Sequence, residues 1–419
     1  MQSLCSIPEW VSLEHKVAQI LTEQEIHGWQ FDESAARELE LALRRELRDL
    51  TQVLQDRFPY VPGTEFTPKR NNRTQGYVEG ATFTRLKEFN PASREHIAWL
   101  LQQHDGWTPS DMTATGKPMV DETTLKNHGT GLSLQFLRIL EITKSLGMIS
   151  EGVNAWLKLC TNAKRIHHHC SVATSTHRCA HRNPNLAQVP SDERFRRLFL
   201  PSPNQVMVGA DLSGIELRML AHYLARYDGG QYADILLNGD IHQTNADKIG
   251  ISRKLVKTVT YAFLYGAGDQ KIGLSYDKQL TPKKAKAKGK EIRDAYIDAI
   301  PGLADLLLAI KGAADRGYVK AIDGRKIQLT SPHVALNYLL QGSAGVIAKR
   351  WMVMAHDNDY CCSQLAFIHD ELQYECAPEH SDLLKSHLET TATEAGAYYN
   401  LRIPLAAEGK VGANWAEVH

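Results

Sequence analysis

The sequence predicts an α+β protein, in which a helical arm leads to a sheet platform, a helical insertion follows, and the chain returns to the sheet. Three stretches carry that expectation. Residues 31 to 57, FDESAARELELALRRELRDLTQVLQDR, place leucines at roughly helical spacing among alternating acids and bases. Residues 205 to 227, QVMVGADLSGIELRMLAHYLARY, read as a buried strand, a short turn and an amphipathic helix. Residues 363 to 376 read as two short strands that meet near His369 and Asp370, so that the hairpin tip carries acids. The pattern is not a regular βαβ alternation.

The arm at 31 to 57 is a long solvated helix that Asp32 or Ser34 can cap. Residues 58 to 89 hold Pro59, Pro62, Gly63, Pro68, Gly76 and Gly80 with Lys69, Arg70 and Arg73, and read as loop. Such a basic tip serves a nucleic-acid backbone or is a plain solvated loop. Helical signals resume at Ser93 to Gln103 and at Ser133 to Leu146, and an irregular region sprinkled with Lys and Arg follows from Thr161 to Pro190. Two more helical stretches, 252 to 265 and 283 to 297, precede the glycine-marked turn AIDGRKI and a helix from about Pro332 to His356.

Composition sets bounds. With 419 residues, 43% of them apolar and 23% charged, the chain supports a large soluble core divided into two or three domains. Its formal net charge of zero does not exclude nucleic acid, because field strength depends on where charges gather. Seven cysteines without even spacing, and a start (MQSLCSIPEW) without a basic or long apolar leader, point to an intracellular protein with reduced thiols. No stretch approaches the length of a membrane span.

Chemistry gathers at a few places. Asp211 ends the apolar run VMVGA and Asp370 sits at the proposed hairpin tip, so strands of one sheet would bring two hard oxygen ligands to one edge. Asp211 alone reads equally as the cap of the helix after it. In SRKLVKTVTYAFLYGAG, residues 252 to 268, Arg253, Lys257, Tyr261 and Tyr265 recur every four residues and stack two cations and two phenols along one helical face. Such a face can grip a triphosphate and stack on a base, or be an amphipathic helix whose cations merely snorkel. His242 in NGDIHQTN could donate to a phosphate oxygen, and the bases of KKAKAKGKEIR are a backbone contact or a soluble helix face. The Cys and His residues of CTNAKRIHHHCSVATSTHRCAH, residues 160 to 181, match no compact zinc-knuckle spacing. The neighbouring Arg178, Arg182, Arg194, Arg196 and Arg197 look more like a phosphate-facing surface.

These residues together resemble the family A (polymerase I-like) DNA polymerases, specifically the bacteriophage replicative branch. The match rests on DLSGIELRMLAHY at 211 to 223, RKLVKTVTYAFLYGAGDQKIG at 253 to 273 and IHDELQ at 368 to 373, in that order. PNLAQVP at 184 to 190, GDIHQTN at 239 to 245, DGRKIQLTSPHVALNYLLQGSAG at 323 to 345 and the ending GKVGANWAEVH extend it over almost the whole chain. The resemblance implies a right-hand polymerase fold with helical thumb, antiparallel-sheet palm and helical fingers. It implies residues 1–150 as thumb with an N-terminal segment and flexible tip, 151–223 and 333–419 as the two parts of the palm, and 224–332 as fingers. The implied activity is template-directed DNA synthesis with pyrophosphate release. A single-subunit RNA polymerase and a catalytically degenerate phage-derived DNA-binding protein are the competing readings.

The resemblance also assigns roles. Asp211, Asp370 and the backbone carbonyl of Leu212 would hold two Mg2+ ions, or Mn2+ in their place, with Glu371 an auxiliary acid. Arg253, Lys257 and His242 would hold the incoming deoxynucleoside triphosphate, with Lys257 also serving the leaving group, and Tyr265 would stack near the template base. Glu216 and Tyr261 would lie together under the sugar, excluding a 2′-hydroxyl, and tyrosine at 261 resembles the variant that accepts dideoxynucleotides readily. Arg178, Asn337, Gln341 and His369 would touch primer-template DNA or its minor groove. The family's Thr-Gly-Arg is Thr176-His177-Arg178 here, which predicts an altered local backbone or a weaker primer grip. The tract 58 to 89 is short beside the factor-binding insertion of the phage enzymes, which counts against thioredoxin as a partner. No acids precede the thumb to build a 3′-5′ exonuclease, so proofreading is expected only from a separate chain. A separate exonuclease, a helicase-primase or a processivity factor are the further partners implied, in the cytoplasm of a bacterial host, for a phage or prophage protein without membrane association.

Overall fold

The structure, a computed structural model, describes residues 7–109, 111–277 and 280–419. Cys5 and the rest of residues 1–6 lie outside them. Helix α1 (Glu9–His27) leads through strand β1 (Trp29–Phe31) to α2 (Glu33–Arg57), followed by β2 (Tyr60–Phe66), β3 (Phe83–Glu88), α3 (Arg94–His104), α4 (Glu122–His128) and α5 (Gly131–Leu146). After α6 (Trp156–Leu159) come the short strands β4 (Arg165–Ile166), β5 (His169–Ser171) and β6 (Ala180–Arg182), then α7 (Glu193–Arg196), β7 (Phe199–Leu200), β8 (Val206–Leu212) and α8 (Ile215–Leu224). A run of helices follows: α9 (Gln231–Asn238), α10 (Ile241–Ile249), α11 (Arg253–Leu264), α12 (Asp269–Tyr276), α13 (Pro282–Ala299) and α14 (Leu303–Ala314). The chain closes with β9 (Tyr318–Lys320), β10 (Lys326–Gln328), α15 (Ala335–His356), β11 (Cys362–Ile368), β12 (Glu371–Cys376), α16 (Ser381–Tyr398) and β13 (Ala407–Gly412). No described helix is long and apolar enough to cross a membrane.

The chain divides into two compact units, one formed by Ala36–Lys158 and the other by the residues up to Ala35 with Leu159–His419. The expected domain boundaries differ from this division, since they break at 150 and place residues 1–35 with the arm. In the structure α1 packs on α15 and β11, because its Leu13, Val17, Ile20 and Leu21 belong to the same apolar core as those elements.

In the 36–158 unit, Leu54, Phe58, Val61, Phe89, Ile97, Leu101, Phe136 and Ile139 form a core of their own. The region read as loop between 58 and 89 is instead an antiparallel hairpin of β2 and β3, paired from Tyr60↔Glu88 to Phe66↔Phe83. Its prolines sit in or beside an exposed two-stranded ribbon, where a missing N–H costs little. Phe66, Tyr77 and Phe83 cluster with ring centroids 5.4 to 5.6 Å apart, which orders a tip that turn residues alone left undetermined.

The larger unit is built on a four-stranded antiparallel sheet of order β11-β12-β8-β13. β8 is buried along most of its length and central, which explains its unbroken apolar run. Gly209 is required there, since a Cβ would lie 2.6 Å from the Gln373 amide and 2.7 Å from the Val418 carbonyl oxygen. α16 covers β8 and β13, and α15 packs on α16 and α8. β13 has no counterpart in the sequence reading, because AEGKVG lacks an apolar alternation and becomes a strand only by pairing with β8.

Candidate active site

β8 ends at the sheet edge where the β11–β12 hairpin turns. Glu371 pairs with Asp211 in the β12–β8 ladder, and the Leu212 N–H donates to the Asp370 carbonyl oxygen at 2.9 Å. The tip residues His369 and Asp370 are all that separate β11 from β12, and His369 takes a positive φ of 61° to close so tight a turn. Two carboxyl-bearing residues 159 positions apart, Asp211 and Asp370, are thus brought to one sheet edge, and the antiparallel register is the cause. Leu212 has its peptide pinned beside Asp370 by the same bond.

The electrostatics are those of a site short of positive charge. Asp211 keeps solvent access, yet the protein around it and the neighbouring Glu371 raise its carboxyl to about 6. Burial, then Asp211 and Glu216, raise Asp370 to about 7. Glu408, the other register partner of Asp211, adds to the crowding; sequence reasoning missed it along with β13. Two hard-oxygen donors that resist ionising together fit a divalent cation.

Glu371 is engaged differently. Only 4% exposed, it accepts bonds on Oε1 from Gln373 Nε2 (2.6 Å) and Trp415 Nε1 (2.7 Å), and its Oε2 lies 2.9 Å from His419 Nδ1. The His419 and Trp415 contacts hold its carboxyl below the ordinary range despite burial. Its carboxylate therefore ties the hairpin to the chain's last residues.

α8 carries Glu216 one turn beyond the β8 edge. Glu216 Oε1 accepts from Arg178 Nη2 (3.2 Å) and from the Tyr265 hydroxyl (3.1 Å). The sequence reading joins Glu216 to Tyr261; the structure hands the hydrogen bond to Tyr265, while Tyr261 feels the Glu216 charge, which with burial raises its phenol. Burial and Glu216 push the Tyr265 phenol up to about 12, although its ring is 49% exposed.

On α11, capped by Ser252 accepting from the Leu255 N–H, the every-fourth-residue face is realised. Arg253 Nε donates to Asp240 Oδ2 at 2.7 Å, and Asp240 also caps α10 by accepting from the His242 and Gln243 N–H groups. Lys257 is exposed one turn on. His242 is buried with an unpartnered Nδ1, and its ring centroid lies 6.3 Å from that of Tyr261. Asn337 Nδ2 on α15 donates to the Leu264 carbonyl (3.1 Å), and half-buried Gln341 follows one turn later. His369 has a buried, unpartnered Nδ1, and the charge of Arg178 adds to burial in lowering its affinity for a proton. Asp211, Asp370, Glu216, Tyr265, Arg178 and His369 are therefore one electrostatic cluster, with Tyr261, His242, Arg253 and Lys257 continuing along α11.

Several of the neighbouring arginines have partners within the chain. Arg194 pairs with Asp192 (2.6 Å), Arg197 with Glu193, and Arg196 is buried over the Trp415 ring at 5.0 Å. In α13, Arg293 pairs with Asp269 (2.6 Å) and Lys288 with Glu291 (2.7 Å), so only part of that basic stretch is available to an outside phosphate.

The sequence profile of DNA polymerase family A matches residues 65–417. The DNA-directed DNA polymerases of Enterobacteria phage T3 and Escherichia phage T7 are each 34% identical to this chain over 98% of it and 70% of their own length. Among solved structures, the POL domain of Pol1 from M. smegmatis, in complex with DNA primer-template and dNTP, superposes with a TM-score of 0.76 at 21% identity, covering 97% of this chain and 70% of that one.

Proposed function

The chain belongs to DNA polymerase family A, and from that premise we propose that Asp211 and Asp370 are its metal-binding carboxylates and α11 its nucleotide-binding helix. The protein is a DNA-directed DNA polymerase, carrying out template-directed DNA synthesis. Family A enzymes use divalent metal ions. The observation that carries the residue assignment is the meeting of Asp211 and Asp370 at one sheet edge, electrostatically coupled through Glu216 to Tyr265 at the end of α11.

Two magnesium ions bound by Asp211, Asp370 and the Leu212 carbonyl would favour the ionised 3′-hydroxyl of the primer and offset charge on the departing pyrophosphate. The chain's own groups do the rest. Arg253 exchanges Asp240 for a phosphate oxygen of the deoxynucleoside triphosphate, and Lys257 places a proton or positive charge at the leaving group. The unpartnered His242 Nδ1 offers one more hydrogen-bonding position at the same end of the helix. Tyr265 leaves Glu216 when the template base arrives, which frees the carboxylate to lie beneath the sugar and exclude a 2′-hydroxyl. Arg178 and His369 face the primer end, with Asn337 and Gln341 on α15 alongside.

Primer extension with magnesium tests the assignment. Asp211→Asn and Asp370→Asn should each lower incorporation by about 10²-fold or more while leaving duplex binding nearly unchanged. Retained turnover in Asp370→Asn refutes it.

A further inference from the structure

The strand pair β5–β6 lies in the 160–181 region whose Cys and His spacing matches no knuckle. Its register brings together residues that their spacing along the chain keeps apart. Cys170 and His181 are direct cross-strand partners, between His169↔Arg182 and Ser171↔Ala180. His168 precedes Cys170 by two, so strand alternation turns both to one face. His167 and His169 turn away and are used elsewhere, each with its Nδ1 2.8 Å from an oxygen of Glu25 on α1. Three ligand-type side chains thus converge from a ladder rather than from a turn.

We propose that His168, Cys170 and His181 form a binding site for a thiophilic divalent ion of the zinc type, distinct from the carboxylate site. One ligand atom from each lies within 4.8 Å of the others. Cys170 Sγ is 3.2 Å from His181 Nδ1, and the edge of a tetrahedral zinc shell of nitrogen and sulfur is roughly 3.3 to 3.8 Å. His168 is 0% exposed, Cys170 8% and His181 7%, so solvent does not serve these atoms.

On each histidine the second ring nitrogen, His168 Nδ1 and His181 Nε2, is buried with no hydrogen-bond partner, so the protein leaves both rings incompletely satisfied. The Gln24 amide nitrogen sits 3.0 Å from His168 Nε2 and 3.6 Å from Cys170 Sγ, and an ion binding there displaces this amide from the electron pairs it now holds. A water molecule would complete the four-coordinate shell. As the sulfur–metal bond forms, the Cys170 thiol gives its proton to solvent, so uptake of each ion releases one proton.

The site has a place in the larger architecture. The loop between β5 and β6 carries Arg178, and the His181 ring lies 5.7 Å from that of His369 at the catalytic hairpin tip. An ion here would hold together the two strands that flank the Arg178 loop, behind the hairpin tip.

Chelator-stripped full-length protein titrated with Co2+ alone tests this without substitution. One equivalent should produce thiolate-to-cobalt charge-transfer absorption and the intense visible bands of tetrahedral cobalt, with Zn2+ displacing both and raising the Tm. Cys170→Ser should abolish the charge-transfer band and the zinc-dependent Tm rise, whereas Asp370→Asn should keep them. Absence of a thiolate-to-cobalt band in the stripped wild-type protein overturns the proposal and leaves a hydrogen-bonded cluster. So does a band that persists undiminished in Cys170→Ser, since the thiol would then lie elsewhere.

Discussion

His177 shows how a single residue departs from its family without undoing the site. It stands where the resemblance expects glycine, and it adopts φ of 59°, the left-handed region that glycine enters freely. The loop is closed around it: the His177 N–H donates to the Thr174 carbonyl (3.0 Å), and the Thr174 hydroxyl donates to the Arg178 carbonyl (2.7 Å). The backbone needed to aim Arg178 at Glu216 is thus retained at a steric cost. His177→Gly and His177→Ala both delete the ring, but only glycine relieves the strain, so the glycine variant should be the more stable by about 1 kcal/mol, read as a Tm difference. Equal values for the two would mean that no strain is stored there. Tyr261 and Tyr265 are legible in the sequence because a spacing of four fixes a helical face, whereas Arg178 and Glu216 are assigned to the site only by the family resemblance. Which phenol takes the Glu216 bond is not legible there, since that depends on side-chain rotamers across α8 and α11. Tyr261 near Glu216 leads to a second expectation: the wild-type enzyme incorporates dideoxynucleotides readily and Tyr261→Phe discriminates against them more strongly. Single-nucleotide incorporation showing strong rejection by both proteins would sink it.

Elements that were legible share one property, a long local pattern. β8 with α8, α11, α13 and α15 have apolar periodicity extending over many residues, and the structure has them within a few residues of where the sequence puts them. Asp32 caps α2 by accepting from the Ala35 N–H (2.9 Å), one of the two candidates named. The elements not legible depend on distant partners. β13 needs β8, β1 needs β4 and β7, and β5 needs β6 before any of them is a strand. The same dependence makes β8 intolerant. Gly209→Ala would press a methyl into the Gln373 amide, which itself holds Glu371, and into the Val418 carbonyl. It should cost about 1–3 kcal/mol. Gly312→Ala in α14, where a methyl meets open space, is the control and should be neutral or slightly stabilising. Thermal unfolding that does not separate the two would show that the C-terminal tail gives way easily.

Across the whole molecule, the crowded carboxylates make stability depend on pH and on divalent cations together. Asp211 and Asp370 have folded values of about 6 and about 7, above the ordinary 3.8, so between pH 4 and 7 the folded chain binds more protons than the unfolded one. Their contribution to stability therefore falls as pH rises through that window. His168 and His181, pushed by burial to about 3 and about 4, act with the opposite sign, because the unfolded chain protonates them first as pH falls. The raw pH profile is consequently a sum that identifies no group. The magnesium-induced increment in Tm isolates the carboxylates, since protons and the cation compete for the same oxygens. That increment should be near zero at pH 5, grow through pH 6 and 7, and level off above. In the absence of divalent ions Asp370→Asn should unfold at a higher temperature than wild type at pH 8, by about 1–3 °C, and should lose most of the magnesium increment. An increment that is independent of pH, or equal in wild type and Asp370→Asn, would remove Asp211 and Asp370 as the place where the cation binds.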